Sequence, residues 1–163
     1  MILTRKEILT EIKEKRVKIT PFSRGNLSVA SYDLTLDSKF WLFKPGEIKV
    51  KEGIDFKKYC VEKNMKKITL LPGEFVLART KEKINLPEDI SGFLSGRSRF
   101  ARLGLGVHVT AFFINPGVNN RQVFEIKNNS NNPLVIYPGL KIAQIIFVRN
   151  EGRAKYNGRY KKQ

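Results

Sequence analysis

Between residues 4 and 16, in TRKEILTEIKEKR, apolar side chains return at helical intervals, with Ile8, Leu9 and Ile12 forming one stripe. Thr4 ahead of the stripe and Glu7 three residues on make a capping pair, so the pattern predicts an amphipathic helix over 4–16. Beyond it the period drops to two. In SYDLTLDSKFWLF, Tyr32, Leu34 and Leu36 alternate with polar residues, as one face of a strand does. VKITPFS, KKITLLPGEFVLART, DISGFLSGR, GVHVTAFFI, RQVFEIKN and PLVIYPGLKIAQIIF read as further short strands. Pro45-Gly46, further Pro-Gly pairs, Leu-Pro-Glu and the Asn-rich run NNSNN at 128–132 break them. With no internal repeat or long linker, residues 1–163 are expected to form a single mainly β domain, a sandwich or barrel with one N-terminal helix. Residues 148–163, basic and poor in aliphatics, are expected to form a flexible C-terminal arm that stays mobile until something holds it.

Composition narrows the chemistry more than the fold. No apolar run approaches the ~18 residues a membrane helix needs, and the charged opening MILTRKEILTEIKEKR has no signal-peptide core, so no membrane association is expected. The lone Cys60 excludes an internal disulfide and fits a reducing cytoplasmic setting. One cysteine and one histidine, His108, leave no ligand set for protein-bound zinc or iron–sulfur, so hydrolytic chemistry here is expected to run on carboxylates and ordered water. A formal charge of +16 points to anionic partners without choosing among nucleic acid, nucleotides and acidic lipid.

The densest chemistry lies in SGRSRFARLGLGVHVTA, residues 95–111. Arg97 and Arg102 flank Ser98, and a guanidinium fork reads phosphate through paired, charge-assisted hydrogen bonds. Gly96, Gly104 and Gly106 would let backbone approach a ligand closely, although a solvated basic loop would look the same. Glu125 stands between Phe124 and Ile126. Facing solvent it would be inert, which is the commoner case on a strand; facing a cleft, burial would raise its pKa and suit it to proton transfer. His108 has no visible partner and reads as structural, Asn115 as a turn residue in INPG, and Gln144 as the one polar interruption of PGLKIAQIIF.

Taken in order, SYDLTL, LLPGEFVLARTKEKINLPEDISGFLSGRSRFARLGLGVHVTA, INPG, FEIKN, YPGLKIAQIIF and the terminal GRYKKQ resemble the dCTP deaminase family of the trimeric dUTPase superfamily. The resemblance runs along the whole chain except a stretch around 38–68. It implies a distorted β-barrel or jelly-roll of the dUTPase-like type, assembled as a homotrimer with active sites between subunits. It also implies zinc-independent deamination of dCTP to dUTP and ammonia. By that resemblance Glu125 is the base that draws a proton from water, while Ser98 and the backbone carbonyl of Ala111 hold the water and the reacting amino group. Arg97, Arg102, Arg159, Tyr160 and Gln163 would bind the triphosphate, with Arg102 serving a neighbouring subunit. Asn115, Thr110 and Val123 would line the nucleoside pocket. Magnesium would ride on the triphosphate, dTTP is an expected inhibitor, and nucleic acid is not an expected partner.

Three departures from the family pattern stand out. Asn115 replaces the usual aspartate and keeps its hydrogen-bonding shape without its basicity, which argues against phosphate hydrolysis. Arg99 replaces the second serine of the Arg-Ser-Ser motif, and the tail at Gln163 is shorter than in many relatives, so a less complete lid is expected. The leading expectation is therefore a deaminase that stops at dUTP. A dUTPase or bifunctional dCTP-to-dUMP enzyme is the alternative, and a non-catalytic nucleotide- or nucleic-acid-binding relative is the third reading.

Overall fold

Helical periodicity becomes α1 (Arg5–Lys13), shorter than the 4–16 expectation because Lys15 turns into the left-handed region at φ 59°. Thr4 occupies the N-cap, where its hydroxyl donates to the Glu7 carboxylate rather than accepting from a backbone N–H. Ile8 is buried and Leu9 and Ile12 pack on the core. Glu11, buried on the same helix, is held by Arg16 and Arg149, and both arginines also reach Asp89. This network ties the helix to the sheet it covers. The structure, a computed structural model, describes residues 1–158 and Tyr160.

The strands are β1 (Lys18–Thr20), β2 (Tyr32–Phe43), β3 (Cys60–Asn64), β4 (Ile68–Leu70), β5 (Phe75–Asn85), β6 (Ile90–Gly96), β7 (Leu105–Gly106), β8 (Phe113–Ile114), β9 (Asn119–Asn128), β10 (Leu134–Ile136) and β11 (Lys141–Arg149). A short helix, α2 (Ser98–Ala101), follows β6. All pairings are antiparallel. A nine-stranded sheet runs β7-β9-β5-β2-β11-β6-β8, with β1 added on β5 and β3 on β2, and it curls into a half-barrel. β4 and β10 form a separate ribbon. The fold is thus the mainly β architecture with an N-terminal helix that the sequence predicted.

Alternation explains where the core sits. Tyr32, Leu34 and Leu36 of β2 point inward, as do Phe124 and Ile126 of β9 and Ile145 and Phe147 of β11. Each fully buried side chain of this size contributes roughly 1.5–3 kcal/mol. Gly92 lets β6 approach β11, since a Cβ there would lie 2.7 Å from Ile145 Cδ1. The pairing of β2 with β5 slips between Leu36 and Phe40, after which Phe40 joins the main core and Trp41 a satellite cluster with Cys60 and Leu77.

Three segments differ from the sequence expectation. KKITLLPGEFVLART splits into β4 and β5 at Gly73, whose φ of 81° favours glycine. PLVIYPGLKIAQIIF splits into β10 and β11 at Gly139, φ 90°. GVHVTAFFI is not one strand: only β7 and β8 pair, and the residues between them leave the ladder because their N–H groups turn to a side chain. That side chain is Glu125.

Candidate active site

Along β9, Asn120, Gln122, Phe124 and Ile126 face one way and Arg121, Val123 and Glu125 the other. At its polar end, near the INPG turn, the strand borders a cleft of about 330 Å³. Glu125, Ala111, Asn115, Val123 and Tyr160 all line it, so the structure brings together five of the residues singled out from sequence. Glu125 faces this cleft, not open solvent. Thr110 joins them through its backbone, whereas Arg159 and Gln163 lie outside the described residues.

The Glu125 carboxylate is asymmetrically held. Its Oε2 accepts from the N–H groups of Val109 (2.6 Å), Thr110 (2.8 Å) and Ala111 (3.1 Å). Oε1 accepts no hydrogen bond among the described residues, which leaves one oxygen for a ligand or water. Burial pushes the carboxyl pKa up, but the backbone donors of Thr110, Val109 and Ala111, with the nearby His108, outweigh it and hold the pKa below its ordinary value. This corrects the expectation that a cleft would raise it: three N–H dipoles converging on one oxygen stabilise the anion more than partial burial destabilises it. Ala111 meets Glu125 through its N–H, and His108 acts on the same carboxylate electrostatically as well as packing 6.3 Å from Phe112.

Arg97 and Ser98 are elsewhere. With Arg99, Ser28, Asp33 and Gln144 they line a different depression of about 240 Å³, which shares no residue with the Glu125 cleft. Arg97 is braced by Asp33 at 3.2 Å and donates to the Lys141 carbonyl at 3.0 Å. Ser98 opens α2 with its hydroxyl exposed, and Arg102 closes the same helix, also exposed. Gln144 accepts from the Ser31 hydroxyl at 2.8 Å. Gly104 and Gly106 serve close packing within the chain: their Cβ positions would lie 2.8 Å from the Ser130 backbone nitrogen and 2.9 Å from Asn129 Nδ2. They let α2 and β7 pass close to the 128–132 loop, which Asn128 staples to the carbonyls of Leu70 and Asn132.

Sequence reasoning missed several cleft residues. Asn120 and Gln122 share the parity of Phe124 and Ile126, so polar residues on a buried face were a readable sign of a polar pocket. Gln122 donates to Asn120 (2.6 Å), and Asn120 donates to the Tyr160 carbonyl (2.5 Å). Phe56, from the stretch outside the resemblance, forms a further wall, as does Tyr156, whose N–H donates to Pro116 at 3.0 Å. No helix of the described residues is long and apolar enough to cross a membrane, and no group of three His, Cys, Asp or Glu among them could hold a metal ion.

Comparison with known proteins agrees with this architecture. A dCTP deaminase, dUMP-forming, from Nocardioides sp. is 36% identical over an alignment 174 positions long, covering 100% of this chain and 91% of its own. A protein of the same name from Nanoarchaeum equitans is 38% identical, covering 91% of this chain and 84% of its own. Among solved structures, 2'-deoxycytidine 5'-triphosphate deaminase from Agrobacterium tumefaciens superposes with a TM-score of 0.71 at 22% identity over 90% of this chain. This chain spans 47% of that longer one. A phage phi11 dUTPase mutant, whose structure concerns coordination of a structural Mg(II) ion, superposes at 0.55 and 15% identity over 88% of this chain and 96% of its own. Residues 2–150 match the dCTP deaminase-like family, and the chain belongs to that family of hydrolytic enzymes.

Proposed function

We propose that the protein removes the 4-amino group of dCTP hydrolytically, releasing ammonia and leaving dUTP. The observation that carries this reading is the Glu125 carboxylate lining the cleft, fixed by three N–H groups on Oε2 with Oε1 accepting no hydrogen bond among the described residues. In this reading Oε1 takes a proton from water and the hydroxide adds to C4. Glu125 returns that proton to N3, then relays the new hydroxyl's proton to the amine, and the C4–N bond breaks to give ammonia. Val123 and Asn115 border the base and sugar, and Tyr160, with Arg159 and Gln163, closes over the nucleotide. The cleft offers one carboxylate among neutral amides, too few anionic oxygens for a dedicated cage, so magnesium fits as a passenger on the triphosphate that neutralises part of its charge.

Ser98 and Arg97 complete the site from a neighbouring subunit of a homotrimer, with Arg102 beside them. Supporting this, the two sets of residues lie in separate depressions of one chain. Next to the Glu125 half, Phe112 and Phe113 are each 47% exposed, an apolar surface suited to cover by another copy. Residues 1–163 then act as one domain, in the cytoplasm, with dTTP competing for the nucleotide site.

A second reading has its own support. The relatives are named as dUMP-forming, which favours cleavage of the phosphate chain after deamination. Asn115 stands against it, since an amide can orient a water but cannot take its proton.

Ammonia release from subsaturating dCTP, read as kcat/KM across pH so that the ligand-free enzyme titrates, tests the base assignment. A depressed pKa keeps Glu125 ionised through the neutral range and loses the base only as pH falls through the depressed value. Activity should therefore fall only below the ordinary glutamate range near about 4.3, after correction for protonation of cytosine itself. An acid limb near neutral pH would show that burial dominates and that the assignment of the donors is wrong.

A further inference from the structure

Beside the cleft lies a second cavity, of about 140 Å³, which shares the walls Phe56 and Val123 with it. Its charged lining is Lys39, Lys57, Arg79 and Arg121 against a single carboxylate, Glu62. Lys39 pairs with Glu62, which also accepts from Trp41 Nε1 at 3.0 Å. Arg79 pairs at 2.6 Å with Asp37, outside the lining. Arg121 donates from Nε to the Lys81 carbonyl at 3.3 Å, a bond that uses only one of its N–H donors. Trp41 and Phe56 meet edge-on at 5.8 Å and give the cavity an apolar side. Cations outnumber anions in a concave space with an apolar wall, where field lines concentrate.

The strand geometry connects this cavity to the cleft. Arg121, Val123 and Glu125 are successive same-face positions of β9: the first lines only the cationic cavity, the second both spaces, the third only the cleft. At the usual rise of a strand Arg121 is about 13 Å from Glu125. A phosphate oxygen in the cavity would meet guanidinium donors from two neighbouring strands, since Arg79 is the β5 partner of Val123.

We propose that this cavity is a phosphate-binding pocket, with Arg121 and Arg79 as its donors and Trp41 as its wall. The pocket is distinct from the Arg97–Ser98 depression and stands independently of the deaminase reading. Its occupant is either a phosphate of a nucleotide already in the cleft or a separate oxyanion.

Trp41 is the only tryptophan of the chain and lines this pocket, so its fluorescence reports on the pocket wall. Titration of the full chain with inorganic pyrophosphate should give a saturable change in Trp41 emission. Arg121→Gln should weaken the midpoint about tenfold, the scale of one lost charge-assisted hydrogen bond. Lys57→Gln, at an exposed position of the 3-10 turn Phe56–Tyr59, should weaken it less and guards against a folding defect in the first variant. If dCTP competes with pyrophosphate for the signal, the phosphates of a cleft-bound nucleotide occupy the pocket; if both bind together, the occupant is a separate oxyanion. No saturable change, or the same midpoint in both variants as in the parent protein, overturns the proposal. Ammonia release from dCTP is measured alongside: turnover without the signal removes the pocket and leaves the deaminase reading, and the signal without turnover does the reverse.

Discussion

Glu125→Gln should reduce ammonia release from dCTP by roughly 10²–10⁴-fold, the range a positioned proton-transfer group supplies. The glutamine oxygen can still accept from Val109, Thr110 and Ala111, so the segment that wraps the carboxylate keeps its anchor. What changes is the other atom. In place of Oε1 stands an NH₂ that donates and cannot take a proton from water. Binding of dCTP, measured by calorimetry on the same variant, should change little, because the loss lies in the chemical step. Retained turnover would remove Glu125 from the base role, and lost binding would make it a structural anchor of the 109–111 loop instead.

Mixing two inactive variants should restore activity. Ser98→Ala removes an exposed hydroxyl with no structural partner among the described residues, and should itself cost roughly 10²–10³-fold, as loss of one site donor does. If each site takes Glu125 from one subunit and Ser98 from the next, trimers assembled from equal amounts of Glu125→Gln and Ser98→Ala chains contain some sites with neither change. Random assembly makes that roughly one site in four. The unselected co-expressed mixture should regain about a quarter of the parent activity, and mixed trimers purified through two affinity tags, one on each variant, about a third. Activity no greater than the average of the two variants would place both residues in one subunit's site and contradict the shared-site account.

The fold was legible wherever alternation was regular. β2, β6, β9 and β11 follow from Tyr32-Leu34-Leu36 and similar runs, because burying one face of a sheet forces period two on the sequence. GVHVTAFFI was misleading for the converse reason. Its apolar content reads as a strand, yet Val109, Thr110 and Ala111 spend their N–H groups on a carboxylate that lies 14 to 16 residues further along the chain, a contact no local pattern encodes. That same contact inverted the expected direction of the Glu125 pKa. Gly104 and Gly106 illustrate a similar limit: sequence reveals that backbone must pass close to something there, but not that the something is the loop at 128–132. The cationic cavity was hidden because its residues, from Lys39 to Arg121, are drawn from four strands and a turn, and the stretch around 38–68 carries several of them.

The measurement that tests the account most directly is incubation of the purified protein with dCTP and magnesium, following ammonia chemically and the phosphate chain by phosphorus NMR. The account predicts ammonia released in step with loss of dCTP, and a triphosphate signal that persists as dUTP. Release of pyrophosphate together with ammonia would establish the dUMP-forming reaction and show that Asn115 does not prevent cleavage of the phosphate chain. Absence of ammonia above the uncatalysed background would contradict the central claim that the Glu125 cleft deaminates dCTP.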